Sequence, residues 1–481
     1  MSNANFKGMK VCVLLPDYST SDVDYQHYDP PRNLSALLPD AQVDHLFLNK
    51  LTTYKQLREA SKKSYDIFVN LCEGYLDWSV PSIDVIHTLD LLDLPYTGPN
   101  SLLYDPPKDL MKYVAYTQGI KTPGYKIVSE IQHITESIVP LNYPVFVKPI
   151  KAGDSLGVDE GSLCIDDTSR IKKCHSIFDD YAPLLVEEYI DGREFTILVI
   201  RKADNSIEAY DPVEYVFPHG AAFKTYALKT SELHPDCNVR VADVELSNQL
   251  KDAAVNIFSG FGGVGYARLD FRSNKNNEIY FLEINFTCSV FYSDGYEGSA
   301  DFILKASGVA TGQFLKDIIS EGMSRHFKNK KPYNLCGDSI SGYGIYANRD
   351  ILKDEVVFRG EERPQRIATR AHIASKWSDD EKENFKKYAY PISEHVYLLW
   401  DENPSSWGPQ NHCCEANTHY KGLDVVATKD ISKGEELTLD YGAFLDETMQ
   451  PFQCSCGKTA CRGLITGISG NSISYRESIR K

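Results

Sequence analysis

The chain contains no run of about 18 consecutive apolar residues, so nothing in it reads as a membrane-spanning helix and no membrane partner is expected. Basic charge is in short supply. There are 51 Lys and Arg against 67 Asp and Glu, a formal net charge of −16. This balance excludes bulk, sequence-independent DNA binding, which runs on phosphate neutralisation, and no direct nucleic-acid contact is expected. It suits a basic protein partner. No internal repeat or long low-complexity segment is visible. No secretory signal is expected. The apolar stretch in MSNANFKGMKVCVLLP is cut by Pro16 and Asp17 and reads as a first strand. The 12 cysteines do not form a disulfide framework. Most are scattered and three cluster near the end, the pattern of a reducing compartment with a metal site. An intracellular protein of the cytoplasm or nucleus is expected.

At 481 residues the chain exceeds what one hydrophobic core organises, so two or three domains are expected. KVCVLL (10–15) and YDIFVN (65–70) read as strands entering loops. Apolar periodicity predicts helices over 80–94, after Pro81, and over 108–118, stopped by Gly119. PVFVKPI, PLLVEEYI and EFTILVI read as strands, the last two separated by a turn at Asp191 and Gly192. A helix over 243–259 precedes two β-rich segments, GYARLDF and EIYFLEIN, joined by a polar turn. One further helix is expected over DFILKASGVATGQFLKDIISEG, and RHFKNKK (325–331) reads as a helix end and linker. From residue 340 the texture changes to short strands with Gly and Asp turns: GYGIYA, EVVF, GLDVVAT and EELTLDY. The boundary falls near 326–334.

Lys148 ends a strand that runs into a loop containing Gly153 and Gly157, suited to wrapping phosphates with backbone N–H groups. Asp270 and Glu283 end two strands that a hairpin brings together. Asn285, two residues beyond Glu283, faces the same way. Two carboxylates and an amide oxygen are hard ligands suited to Mg²⁺ bridging phosphates. Singly, each has a duller reading as a solvated strand end; together they point to a nucleotide site.

These residues sit in segments that resemble the D-alanine–D-alanine ligase group of the ATP-grasp superfamily, from position 10 to about 320. The matching runs, in order, are NLCEGYLDWSVPSIDVIHTLDLLDLPYTGPN, KDLMKYVAYTQGIKTPG, VFVKPIKAGDSLGV, VEEYIDGREFT, GYARLDF and FLEIN. The resemblance implies an α/β pre-ATP-grasp domain over 1–105 and an ATP-grasp domain over 106–325. It implies that Lys108 and Lys148 contact ATP phosphates and that 153–158, including Ser155, close over them. Glu187 would meet the adenine amino group, the backbone from Glu188 to Ile190 would line the base, and Glu194 would hold the ribose. Asp270, Glu283 and Asn285 would hold two Mg²⁺, and Arg268 would stabilise the transferring phosphoryl or acyl-phosphate centre. The family joins a carboxylate to an amine through an acyl phosphate. Three segments depart from the pattern. LLPDYSTSDVDYQHYDP lacks the family's Gly-rich substrate loop, CEGYLDW replaces its His-Gly acidic motif, and FTCSVFYSDG replaces the Thr-x-Pro-Gly run that cradles the acceptor. The nucleotide end is kept and the amino-acid end altered, so a different small carboxylate and amine acceptor are expected.

Near the end, Cys454-x-Cys456-x₄-Cys461 supplies three zinc ligands, with Gly457 for the turn. The fourth must come from elsewhere, from Cys414 or Cys413. The surrounding segments SISGYGIYANRDILKDEVV, QNHCCEANTHYKGLDVVATKDISKGEELTLDYG and CSCGKTACRG resemble the SET-domain protein lysine methyltransferases. That resemblance implies a mainly β SET fold over 335–450 and a post-SET zinc segment over 451–470. Overall this is a multidomain α/β and α+β chain. Asn411 and His412 would belong to the knot-like crossing that binds S-adenosylmethionine, with the backbone of Gly342, Tyr343 and Gly344 along the cofactor. Tyr441 would be the catalytic tyrosine beside the channel for a protein or peptide lysine, and Cys414 the ligand donated by the core. Cys413 and Ala416 stand where the family has a small residue and Pro, DENPSSWGPQ lacks the usual approach to the Asn, and 355–400 is unfamiliar. No cysteine-rich segment precedes Gly342.

The expected function is protein-lysine methylation from S-adenosylmethionine, fused to ATP-dependent carboxylate–amine ligation. Two other readings stand beside it: a peptide or amino-acid ligase with a regulatory SET-like domain, and a non-enzymatic nucleotide-binding scaffold.

Overall fold

The computed structural model describes residues 6–19, 29–75, 79–151, 156–217, 223, 237–338, 342–360, 365–400 and 410–468. The chain divides into two compact units, Met1–Lys328 and Asn329–Lys481. Among the described residues, no helix is long and apolar enough to cross a membrane.

The first unit opens with a parallel sheet of three strands, β1 (Lys10–Pro16), β2 (Gln42–Leu48) and β3 (Ile67–Asn70), with β1 in the middle. From Val11 to Leu15 every residue of β1 is buried. A central parallel strand covered on both faces has no polar side, so its sequence is a continuous apolar run. The predicted helix over 80–94 is shorter, Ile83–Leu91. Asp93 takes a left-handed conformation (φ +50°) and the Leu94 N–H returns to the Leu89 carbonyl at 3.0 Å, which closes the helix.

A second sheet carries β4 (Tyr125–Val128), β5 (Val145–Pro149), β6 (Leu163–Cys164) and β7 (Leu184–Glu188) in the order β4-β7-β5-β6. A third runs β11-β10-β8-β12-β13. Its members are β8 (Glu194–Arg201), β9 (Ile207–Ala209, paired to β8), β10 (Val213–Tyr215), β11 (Asn238–Arg240), β12 (Tyr266–Ser273) and β13 (Ile279–Asn285). The helix Val244–Gly260 packs on it through Leu246, Leu250, Ala253 and Ile257, spaced to form one stripe. Asp243 caps this helix by accepting the Leu246 N–H at 3.1 Å.

The single helix expected after residue 300 is two, Ser299–Ala306 and Thr311–Asn329. Gly308 (φ +67°) breaks it. The Gly308 N–H bonds the Lys305 carbonyl at 3.2 Å and the Val309 N–H bonds Leu304 at 3.0 Å, a glycine-terminated helix end inside what reads as one apolar period.

The second unit is a set of small sheets. The hairpin β14 (Tyr333–Asp338) and β15 (Gly342–Ala347) comes first. β16 (Val356–Phe358) pairs later with β22. β17 (Gln365–Thr369), β18 (Tyr390–Pro391) and β19 (Val396–Trp400) form a sheet in the order β17-β19-β18. Two helices, Arg370–Lys376 and Asp379–Tyr388, interrupt a region read from sequence as short strands. β20 (Asn411–His412), β21 (Thr418–Lys421), β22 (Asp424–Ala427) and β23 (Thr438–Leu439) follow. Of EELTLDY, only Thr438 and Leu439 form a strand, parallel to Asn411 and His412. A four-residue helix, Tyr441–Phe444, precedes the closing hairpin of β24 (Phe452–Gln453) and β25 (Leu464–Ile465).

Candidate functional sites

In the first unit, strand register gathers the expected groups. Asp270 lies directly opposite Glu283, and Arg268 opposite Asn285, in the antiparallel pair β12–β13. Opposed residues, and residues two apart, share a face, so all four emerge on one side of the sheet. Arg268 grips Asp270 with two parallel bonds, Nε to Oδ1 at 3.1 Å and Nη2 to Oδ2 at 3.0 Å, and the Thr196 hydroxyl adds a third at 2.7 Å. Burial alone would lower the Arg268 pKa, but the charge and hydrogen bonds of Asp270, with Cys288 and Glu283 nearby, together outweigh it and raise the pKa further. The Asn285 Nδ2 is buried without a hydrogen-bond partner among the described residues.

Lys108 starts the helix Lys108–Thr117, and its Nζ stands 3.6 Å from Glu283 Oε2. Lys148 on β5 and Glu187 on β7 face the same way, because Glu187 is opposite Phe146, two residues before Lys148. Their Nζ and Oε1 are 2.6 Å apart. The other oxygen of Glu187 is 2.6 Å from Lys112 Nζ, a group the sequence reading passed over. Lys112 follows Lys108 by one helical turn, and that i, i+4 spacing was the available signal. All three groups are buried. Burial alone would raise the Glu187 carboxyl, but the two ammonium groups outweigh it and hold it below its ordinary value. Both carboxylate oxygens expected to meet an adenine amino group are thus turned to lysines. Glu194 begins β8, Ile190 lies between β7 and β8, and Ser155 is outside the described residues. Gly157 has φ +71°, a turn conformation that favours glycine.

The segments that depart from the ligase pattern meet in one network. The Ser289 hydroxyl, from FTCSVFYSDG, donates to Glu73 of CEGYLDW at 2.6 Å. Arg32 bonds the other Glu73 oxygen at 3.1 Å, the Val290 carbonyl at 3.2 Å and the Leu71 carbonyl at 3.1 Å. Its guanidinium stacks 4.7 Å from the Tyr292 ring, whose hydroxyl donates to Asp29 at 2.6 Å. Burial pushes the Glu73 carboxyl up to about 7.

In the second unit the Asn411 amide donates to the Tyr343 carbonyl at 3.1 Å and to Glu436 Oε1 at 2.7 Å. Gly344 lies against this pair; a Cβ there would come within 2.6 Å of Glu436 Oε1 and 2.9 Å of Asn411 Nδ2. Gly342 is exposed with φ +87°. Asn417 is buried and ties the same region, donating to the Glu436 carbonyl at 2.8 Å and accepting the Thr438 N–H at 2.9 Å. Tyr441 donates its hydroxyl to the Gln410 carbonyl, and its ring is walled by His412, Phe444 and Phe452 at centroid distances of 5.6, 5.9 and 6.0 Å.

Cys414, Cys454, Cys456 and Cys461 bring their Sγ atoms within 4.8 Å of one another. Cys414 completes the set, and Cys413 does not belong to it. Four sulfurs from a turn and a hairpin, with Gly457 at φ +65°, are the donor set of a closed structural zinc site. Backbone N–H groups reinforce the sulfurs: Cys456 N to Cys454 Sγ and Arg462 N to Cys414 Sγ, both 3.4 Å. Backbone hydrogen bonds from Cys414 and Lys458 lower the Cys456 thiol to about 6, while burial and the neighbouring thiols push Cys454 up to about 12; a zinc ion would need both as thiolates.

Residues 114–318 match the family described as D-ala D-ala ligase C-terminus, and residues 342–442 match the SET domain family. The chain joins a D-alanine–D-alanine-ligase-like ATP-grasp domain to a SET domain. Its four-cysteine cluster resembles a post-SET zinc site. A D-alanine–D-alanine ligase of Legionella pneumophila is 32% identical over 244 residues, 46% of this chain and 62% of the relative. One from Aquifex aeolicus is 27% identical over 205 residues, 41% of this chain and 64% of the relative. The chain therefore spans less than two thirds of the length of these ligases. The crystal structure of the Bacillus anthracis D-alanine–D-alanine ligase complexed with ATP covers 67% of this chain and all of its own, at 17% identity and a TM-score of 0.48.

Proposed function

We propose that the second unit transfers a methyl group from S-adenosylmethionine to a lysine amine of a protein or peptide, and that the first binds ATP with Mg²⁺ and joins a carboxylate to an amine. The SET domain would span 335–450, closed by a zinc segment over 451–470, and the nucleotide domain 106–325, after a pre-ATP-grasp domain over 1–105. The observation that carries the methyl-transfer reading is Tyr441. Its hydroxyl is held by Gln410, its ring is walled by aromatics, and it sits beside the Asn411–His412 strand. When bound, S-adenosylmethionine supplies a sulfonium methyl, and ATP a phosphoryl group that activates a carboxylate.

The chain's own residues do the rest. The Tyr441 hydroxyl orients the incoming amine, and the rings of Phe444 and Phe452 exclude water, so that the amine arrives neutral with its lone pair in line. Gly342, Tyr343, Gly344, Asn411 and His412 hold the cofactor. In the first unit Lys108 and Lys148 neutralise phosphates, Ile190 and Glu194 contact base and ribose, and Asp270, Glu283 and Asn285 offer oxygen ligands. Arg268 faces the charge that develops on transfer. Radiolabelled methyl transfer into lysine-containing proteins tests the first half: wild type labels them and Tyr441→Phe loses at least about tenfold in rate. A wild type that labels nothing, itself included, sinks this reading.

A second reading has its own support. The Arg32–Glu73–Ser289 network rebuilds the amino-acid end of the first unit, while Lys108, Lys148, Asp270, Glu283 and Asn285 remain in the sequence at the nucleotide end. That favours ligation of substrates other than D-alanine, with the SET domain in a regulatory role. ATP consumption that requires a carboxylate and an amine together supports it; ATP binding with no turnover across broad metabolite and peptide pools leaves a nucleotide-binding scaffold.

A further inference from the structure

We propose that the four-cysteine cluster sets the position of Tyr441 through two side chains, His412 and Arg462, which makes Arg462 a positioning residue of the methyl-transfer site. The inference rests on the reading of Tyr441 given above.

His412 supplies the first link. Its Nδ1 accepts the Tyr441 backbone N–H at 3.1 Å, so that nitrogen carries no proton. The neutral ring then bears its hydrogen on Nε2, which lies 3.4 Å from Cys414 Sγ. The imidazole therefore spans from a cluster sulfur to the tyrosine's backbone, and its side chain is only 3% exposed. Ring nitrogens that bond a metal's ligand rather than the metal fix that ligand's orientation, and the constraint runs both ways.

Arg462 supplies the second. It follows Cys461, and its own N–H bonds Cys414 Sγ at 3.4 Å, so its backbone is fastened to the cluster. Its guanidinium bonds Asp440 Oδ1. The same oxygen accepts the Gly442 N–H at 3.1 Å and so caps the helix Tyr441–Phe444. Asp440 is thus held from the zinc side by Arg462 while it holds the first turn that carries Tyr441. A Cβ on Gly442 would lie 3.2 Å from Arg462 Nη1, which leaves little slack between strap and helix. The Arg462 side chain is 45% exposed, so its removal opens no cavity in a core. Loss of Arg462 therefore frees the cap without removing a sulfur.

The experiment compares full-length wild type with Arg462→Ala and Arg462→Lys. The readouts are zinc content, amide exchange over residues 440–445, S-adenosylhomocysteine affinity, and kcat and KM for methyl transfer. In Arg462→Ala, zinc stays at the wild-type ratio while exchange over 440–445 rises about tenfold, the scale of a lost cap. The turnover number falls about tenfold with KM for the cofactor changed less than about threefold, because placement rather than binding is lost. Arg462→Lys restores part of both. Exchange and kcat within about twofold of wild type overturn the proposal, and so does loss of zinc from Arg462→Ala, which would make the residue part of the metal fold alone. If wild type methylates nothing, the Tyr441 reading falls, and exchange over 440–445 judges the strap by itself.

Discussion

Removing Lys112 should destabilise the nucleotide domain by about 3 kcal/mol, more than the loss of a surface lysine costs. Its ammonium is 2.6 Å from Glu187 Oε2, and the two side chains are 1% and 4% exposed. At an effective dielectric of about 20, opposite unit charges at that separation attract by about 6 kcal/mol. Lys112→Met keeps the stem and loses this attraction; burial outweighs the carboxylate at Lys112 and holds its pKa below the ordinary value, so shedding the buried ammonium offsets much of the loss, and the net cost falls on Glu187, whose carboxyl Lys112 helps to keep ionised. Glu187 keeps Lys148 at 2.6 Å, so it stays ionised and the loss remains bounded. Glu187→Gln should cost as much or more, since it leaves Lys112 and Lys148 facing each other without the carboxylate. In Lys112→Met/Glu187→Gln the two losses overlap, with a coupling of about 2 kcal/mol in the double-mutant cycle. A chain of two units need not unfold in one step, so the measurement is native-state amide exchange in the helix Lys108–Thr117 and in β7. A Lys112→Met cost below about 0.5 kcal/mol, or an additive cycle, would refute the view that these charges act as one buried unit.

Three further outcomes follow from other sites. Burial raises Glu73 from an ordinary 4.5 to about 7, so folding takes up a proton there. Its favourable contribution is whole below pH 4.5 and is lost as pH rises through 7, roughly 3 kcal/mol in all. In Glu73→Gln the fall in stability between those pH values should shrink, and urea midpoints for the first unit that drop in parallel with wild type would count against it. Gly344→Ala forces the Glu436 carboxylate off Asn411 and should weaken S-adenosylhomocysteine binding about tenfold by calorimetry with the fold retained, whereas unchanged affinity would place the cofactor elsewhere. Stripping the metal with a chelator should speed exchange across 452–465 and leave the β17–β19 pair protected, since the closing hairpin has only two short strands to hold it without the cluster.

What the amino-acid sequence disclosed depended on whether a feature was local. Glu283 and Asn285 share a face by strand alternation alone, and Asp270 joins them through the hairpin register, which sets carboxylate against carboxylate. The cysteines were legible because spacing and a turn glycine define a knuckle; the choice of Cys414 over Cys413 came from the SET resemblance, and the cluster in the structure contains Cys414. Two helices between 370 and 388 were missed although Ser378 and Glu381 form a reciprocal capping box, a signal written in four consecutive residues. The break at Gly308 was missed for the opposite reason: apolar periodicity continues across it, and only the left-handed backbone ends the helix.

The Arg32 network belongs to another class, because no local pattern encodes it. Arg32 and Val290 are 258 residues apart in sequence and 3.2 Å apart in space. The segments that hold Glu73 and Ser289, CEGYLDW and FTCSVFYSDG, were each noticed as departures from the ligase pattern, at separate places, with nothing to say that they touch. Their contact changes the meaning of both. Two independent losses of motif would describe a decayed acceptor site. A serine donating to a buried glutamate that an arginine grips from the other side, with Tyr292 stacked over that arginine, describes a site rebuilt with both carboxylate oxygens of Glu73 engaged. Charge buried at this density costs stability unless it is paired, and decay would have left a charge without its partner. The physical argument therefore favours an altered substrate over a lost activity at the amino-acid end of the first unit, and the pH dependence of Glu73 is where that preference meets a measurement.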